Sequence, residues 1–197
     1  MHKMALTREN IARSGLKLLN EVGLNGLTLR LIAADLGVKA PALYWHMKNK
    51  QELLDEMATQ MYRDSVADRR PPASAGEWEG VAHGARALRR MMLAYRDGGK
   101  VFAGTYLGDT SLVGEHPLRR SIDAGLDAGR ASRATFTVYC FVIGYVIEEQ
   151  AVRPMPGEFD ERYRESAGEA VLGDADARFE DGLAMVLSGA RQWLETA

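Results

Sequence analysis

Lys39, Tyr44, His46 and Lys50 lie within the twelve-residue stretch "KAPALYWHMKNK", and each can donate a hydrogen bond to an anionic partner. Ammonium, phenol and imidazole groups of this kind reach phosphate oxygens and base edges of nucleic acid. Ala40, Pro41 and Ala42 are small or apolar, so that end of the stretch could enter a groove closely and touch thymine methyl groups. Leu43 to Met47 then places five consecutive large side chains in a row. On a helix these point all round the cylinder, at steps of about 100°, so one core cannot take them all. Leu43 and Met47, four apart, form the inward pair and leave Tyr44 and His46 facing outward. Trp45 either packs between this helix and the next or joins the exposed set.

The elements that must hold these groups read as helices throughout, and no stretch alternates like a half-buried strand. Thr7 caps a first helix whose Ile11, Gly15, Leu18, Leu19 and Val22 share one face, and Gly23 and Asn25-Gly26 end it. Thr28 caps a second helix, with Leu31, Ile32 and Leu36 inward and Gly37 as a tight stop. A third runs from Ala40 to Met47, with Pro41 in its first turn, where its missing N–H costs nothing. Asn49 caps a fourth, Glu52 completes a capping-box-like pair, and Leu53, Leu54, Met57 and Met61 mark the inner face. Helices two and three make a helix-turn-helix, in which the second helix enters the major groove and the first crosses the backbone. Lys50, in the first turn of helix four, opposes the helix dipole unless a phosphate binds there. Thr28 offers a hydroxyl and a helix N-terminus on the other side.

A break at "DRRPPASAGE" (Asp68 to Glu77) separates this head from a longer body. The body predicts an amphipathic helix from Trp78 to Arg96, interrupted by "DGG", and another from Glu115 to Asp127. Ser132 caps a long helix through Gln150, apolar on most sides and therefore expected to be buried. A short helix is expected over Glu161 to Gly168. The last runs from Ala175 to Leu194, with Phe179, Leu183, Val186, Leu187 and Trp193 inward.

Charge divides along the same line. The net charge of the 197 residues is −2, yet the first fifty carry eight basic residues against three acidic ones, +5, leaving −7 for the rest. A basic head on an acidic body fits a small part that meets a polyanion and a larger part that does not. The single cysteine, Cys140, excludes an internal disulfide and fits a reducing cytosol; in its apolar helix it reads as an inert core thiol. "MHKMALTREN" has no apolar core long enough for a signal peptide, and Phe136 to Ile147 falls short of the ~20 residues a spanning helix needs. The chain is therefore expected to be cytoplasmic, with no membrane partner.

Enzyme chemistry finds little support. His2, His46, His83 and His116 are scattered, with no metal-ligand spacing. "RDGGK" lacks the phosphate-loop pattern. Adjacent Glu148 and Glu149 point about 100° apart on a helix, which suits paired acid–base work poorly; one of them could reach a ligand pocket or a dimer partner. No catalytic residue, metal or cofactor is assigned.

"LLNEVGLNGLTLRLIAADLGVKAPALYWHMKNKQELLDEM" resembles the DNA-binding region of the tetracycline-repressor (TetR) family, and "LYWHMKNK" the tetracycline-repressor branch itself. The likeness continues in "YRDGGKVFAGT" and "GYVIEEQ" and thins after Gly108. It implies an all-α homodimer with an N-terminal three-helix helix-turn-helix head and a larger helical body. Residues 1–49 would be the DNA-binding domain and 50–197 the ligand-binding and dimerisation domain, the last two long helices forming a four-helix dimer core. It implies a ligand-responsive transcriptional repressor released from double-stranded operator DNA by a small-molecule inducer. An activator, or a small-molecule binding protein with the same fold, is the alternative. Carried over by position, the DNA-facing residues are Thr28, Arg30, Lys39, Ala40, Pro41, Ala42, Tyr44, Trp45, His46 and Lys50. Ala40 and Ala42 stand where the tetracycline repressors carry Gln and Thr. In the body, Phe102 stands in the place of a metal-binding His, Tyr106 in that of an Arg and Gly84 near that of a ligand-binding Asn. Those departures argue against a magnesium–tetracycline inducer and for a more apolar, aromatic one. The ligand-binding set would be His83, Leu88, Phe102, Thr105, Tyr106 and Glu148, with Phe102 and Tyr106 as core filler the competing reading.

Overall fold

A computed structural model describes residues 6–163 and 173–196, and every regular element in it is helical. The head contains α1 (Arg8–Gly26), α2 (Leu29–Asp35) and α3 (Ala40–Tyr44), and α4 (Lys50–Asp64) leads out of it. The body follows with α5 (Val66–Arg69), α6 (Glu77–Leu93), α7 (Gly98–Phe102), α8 (Arg119–Asp123), α9 (Ala128–Val152) and α10 (Ala175–Glu195). No helix among the described residues is long and apolar enough to cross a membrane.

Local signals set the head. The hydroxyls of Thr7 and Thr28 accept from the N–H groups of Asn10 and Leu31, each at 3.2 Å. The Asn49 side chain accepts from the N–H of Glu52 at 2.9 Å. The return bond of a capping box lands one residue early, on the N–H of Lys48. Gly37 has φ +65, in the left-handed region that costs glycine nothing, and it ends the second helix where the sequence placed the stop. Ile11, Leu19, Ile32, Leu43, Met47, Leu53 and Met57 are wholly buried together, so α1, α2, α3 and the first turns of α4 share one core. Fully burying one such side chain stabilises by about 1.5–3 kcal/mol. Val22 departs from the expected face: it is 42% exposed, just before the break in α1 at Gly23. Helical pairing also stops sooner in α3 than expected, at Tyr44, although Met47 N–H still reaches the Leu43 carbonyl at 2.9 Å.

In the body, α6, α7, α9 and α10 surround a second part of the core that includes Met92, Val101, Phe102, Val138, Val142, Val146, Phe179 and Leu183. The long helix α9 begins earlier than Ser132. Asp127 accepts from the N–H of Arg130 at 2.8 Å and caps it. The helix expected over Glu115 to Asp127 shrinks to α8, because the chain turns at Ala124–Gly125 before that cap. The one expected from Glu161 is a 3-10 turn through Tyr163, and the rest of that stretch lies outside the described residues.

Burial on α9 is one-sided in the single chain. Ser132, Phe136, Cys140, Gly144 and Glu148, four apart, line an exposed face, so Cys140 is a surface thiol and not a core one. On α10, Trp193 is 44% exposed where an inward position was expected, and the Arg130 guanidinium lies 4.4 Å from its ring.

Polar clamps hold the body helices to one another. The buried Arg89 of α6 makes two bonds to the buried Glu149 of α9, at 2.6 and 2.9 Å, and one of 2.7 Å to Asp176 of α10. Burial works against the Arg89 charge, and the two carboxylates outweigh it and raise its pKa. Gln150 donates to the Tyr95 carbonyl at 2.7 Å and accepts from Gly99 N–H at 2.9 Å, tying the α6–α7 joint to α9.

Candidate DNA-contact surface and ligand cavity

Two clamps orient the helix-turn-helix. Asp35 at the end of α2 accepts from the Lys17 ammonium and the Ser14 hydroxyl of α1, both at 2.7 Å. Those two bonds hold its carboxyl below the usual aspartate range. Arg8 bridges the far end, donating to the carbonyl of His46 at 2.6 Å and to Glu56 of α4 at 2.8 Å. Arg8 is a positioning residue that the sequence reading passed over. Its signal was available, since a cation in the first turn of a helix opposes the dipole unless something else holds it.

With Leu43 and Met47 buried beneath, Tyr44 and Trp45 face out. Trp45 is 91% exposed and Tyr44 51%. The indole therefore does not pack between α3 and α4, which decides between the two readings of Trp45. An exposed indole beside an exposed phenol is unusual on a soluble protein unless a partner covers them. Thr28, Arg30, Lys39 and Pro41 are exposed, and Ala40, Ala42 and His46 are half-buried. The Thr28 hydroxyl accepts the cap bond and keeps its own O–H for a partner.

Lys50 is exposed as well, but its ammonium is engaged within the chain. Its ammonium donates to the carbonyl of Leu24 at 2.9 Å. It thus sits over the end of α1, where a cation is favourable, and the dipole conflict read from sequence is relieved within the chain.

The body forms a partly open cavity of about 1040 Å³ between the end of α4, α6, the segment after α7 and the middle of α9. Leu88, Phe102 and Thr105 of the expected ligand set line it. Tyr62 stacks on Phe102 at 6.1 Å between ring centroids, and Val81, Val138, Tyr139 and Val142 extend the apolar wall. Phe102 is thus both a core residue and a wall residue. The other three expected residues do not line the cavity. The His83 ring is bonded to the Asp68 carbonyl at 2.9 Å, Tyr106 is 69% exposed, and Glu148 faces outward while its neighbour Glu149 turns in to Arg89. Arg69 and Tyr62 belong to the wall and were missed. Among the described residues no cluster of His, Cys, Asp and Glu is arranged to hold a metal ion.

A basic helix-turn-helix with uncovered aromatic groups, carried on a helical body with a drug-sized cavity, defines a ligand-binding DNA regulator. Comparison with known proteins makes this specific. Residues 11–57 match "Bacterial regulatory proteins, tetR family", and residues 70–194 match "Tetracyclin repressor-like, C-terminal domain". The chain is 38% identical to the tetracycline repressor protein class A from transposon 1721 of Escherichia coli, over 93% of this chain and 90% of that one. It superposes on a glutamine-to-alanine variant of TetR from Acinetobacter baumannii AYE, solved in complex with minocycline, with a TM-score of 0.78 and 30% identity over 96% and 98% of the two chains. It also matches BioQ solved on its double-stranded DNA operator, with a TM-score of 0.69 and 26% identity over 94% and 98%. The chain belongs to the tetracycline-repressor family, whose repressors bind operator DNA and are released by ligand.

Proposed function

We propose that the chain acts as a homodimer on a near-palindromic operator and leaves it when a largely apolar, aromatic inducer fills the cavity of the body. The observation that carries this reading is Trp45, an indole 91% exposed next to Tyr44 on a helix whose other side is locked into the head. Such groups fit a DNA surface, with Tyr44, His46 and Lys39 supplying donors and Ala40 to Ala42 the close approach. The homodimer reading rests on the open faces of α9 and α10, where Phe136 and Met185 are 63% and 69% exposed. Two such faces would close into a four-helix core. The division of labour is residues 1–49 for DNA and 50–197 for ligand and dimer contact, in the cytoplasm and without an enzymatic role. Helix α4 packs along α1, from Glu56 with Arg8 to Asp64 with Arg13, and its Tyr62 lines the cavity, so it couples the two units. By linkage, inducer and operator then weaken each other equally.

The inducer class follows from the wall. Phe102 offers no metal-ligating atom where the family resemblance places an imidazole, so a magnesium-chelated drug lacks that anchor. The test is selection of genomic fragments by the purified protein, followed by footprinting. The reading expects a two-fold symmetric site with half-site centres roughly 34–36 Å apart. A single, asymmetric half-site would contradict it.

A further inference from the structure

Charge is unevenly matched on the cavity wall. Arg69, Arg70, Arg119 and Arg120 line it, against Glu77 and Glu115. Arg119 is paired with Asp123 at 2.9 Å, and Arg120 approaches Glu77 at 3.9 Å. Glu77 is further committed to the hydroxyl and N–H of Ser121. Arg69 and Arg70 have no carboxylate within 4.0 Å among the described residues. Arg69 donates to the Tyr62 carbonyl and, at 2.6 Å, to the Ser65 hydroxyl, and its guanidinium lies 3.2 Å from the Tyr62 ring centroid. These neutral partners leave its charge uncompensated and some of its five donors for a further partner. Burial lowers its pKa, as it does for a cation without a counter-charge.

We propose that the cavity selects an aromatic acid. The ring system would lie against Phe102, Val138 and Tyr139, and the carboxylate would lie at Arg69 and Arg70. This rests on the cavity being the inducer site, and it specifies the charge of the inducer. A guanidinium already stacked on an aromatic ring and preorganised by two hydrogen bonds loses little freedom on meeting a planar carboxylate. Arg69 is partly buried and Arg70 exposed, so an anion between them meets one positioned and one freely moving guanidinium.

The test is isothermal titration of the full-length protein with 2-naphthoate and with 2-naphthamide, which share a ring and differ in charge. The wild type is expected to bind naphthoate at least about tenfold more tightly. Arg69→Gln/Arg70→Gln should close that gap, and Arg69→Lys should keep part of it. Gly84→Phe, where an added side chain meets open space on the cavity wall, should weaken both probes and so localise them. Failure of naphthoate to bind, equal binding of the two probes, or a preference that survives the double substitution overturns the proposal. So does undiminished binding in Gly84→Phe. The titration contains no DNA, so it reads the anion preference of the cavity alone, and its failure leaves the operator-binding reading standing on its own test.

Discussion

The Asp97 carboxylate accepts a hydrogen bond of 3.0 Å from the backbone N–H of Leu24, joining the turn after α6 to the break in α1. Asp97 adopts φ 54, a left-handed conformation that aspartate tolerates better than most residues, and Lys100 lies 3.0 Å from its other oxygen. Burial would raise its pKa, but the Leu24 N–H and the Lys100 ammonium outweigh burial and hold it below the usual aspartate range. A depressed folded pKa means the contribution is complete near neutrality and is lost as pH falls through that lowered value. Asp97→Ala is expected to cost about 1–3 kcal/mol at neutral pH. Denaturant titrations should show the gap to wild type shrinking below about pH 4. A gap that grew on acidification would contradict this account.

Tyr44→Ala and Trp45→Ala should separate DNA binding from folding. Both side chains are more than half exposed, so thermal unfolding should stay within about 0.5 kcal/mol of wild type. Specific DNA affinity should fall by about 1–3 kcal/mol for Tyr44→Ala. A large loss of stability in either variant would mean that the exposed aromatic pair serves the fold.

Arg89→Met leaves Glu149 buried without its partner. Breaking a buried pair on one side costs about 3–5 kcal/mol. The double variant Arg89→Met/Glu149→Leu should recover most of this, because no uncompensated charge remains. Chemical denaturation of the three proteins decides, and an additive double variant would argue that the two residues act independently.

Gly98→Ala tests the joint between α6 and α7. A Cβ at Gly98 would collide with the backbone carbonyl of Met92, which cannot swing aside like a side chain. The substitution is expected to displace α7, and with it Phe102 in the cavity wall. It should weaken 2-naphthoate binding as well as stability, whereas Gly104→Ala, with open space but φ +70, should affect stability alone.

The head was legible in sequence because its instructions are local. Thr7, Thr28 and Asn49 cap within three residues, Gly37 ends α2 by its own conformation, and the four-residue spacing of Leu43 and Met47 assigns the inward face. The body was less legible because its determinants pair across distance. Nothing near Arg89 announces Glu149, sixty positions on, and nothing near Lys50 announces the carbonyl of Leu24. Periodicity also cannot say which apolar face meets the chain's own core, which is why Cys140 and Trp193 were placed inside. Position on the helix expected from Trp78 to Arg96 suggested a ligand role for His83 and the family resemblance one for Tyr106, yet the first is hydrogen-bonded to a backbone carbonyl and the second lies on the surface. Only the fold brings Arg69 onto Tyr62 and into the same wall as Phe102.

The most direct test of the central claim is fluorescence-anisotropy titration of the purified protein with fragments from its own upstream region and with scrambled DNA, at two salt concentrations. The account predicts a preference of ~10³-fold or more for one fragment, reduced but not abolished in Tyr44→Ala, in line with a loss of about 1–3 kcal/mol. Equal binding to every fragment, falling steeply with salt, would reduce the interaction to phosphate attraction and contradict the assignment.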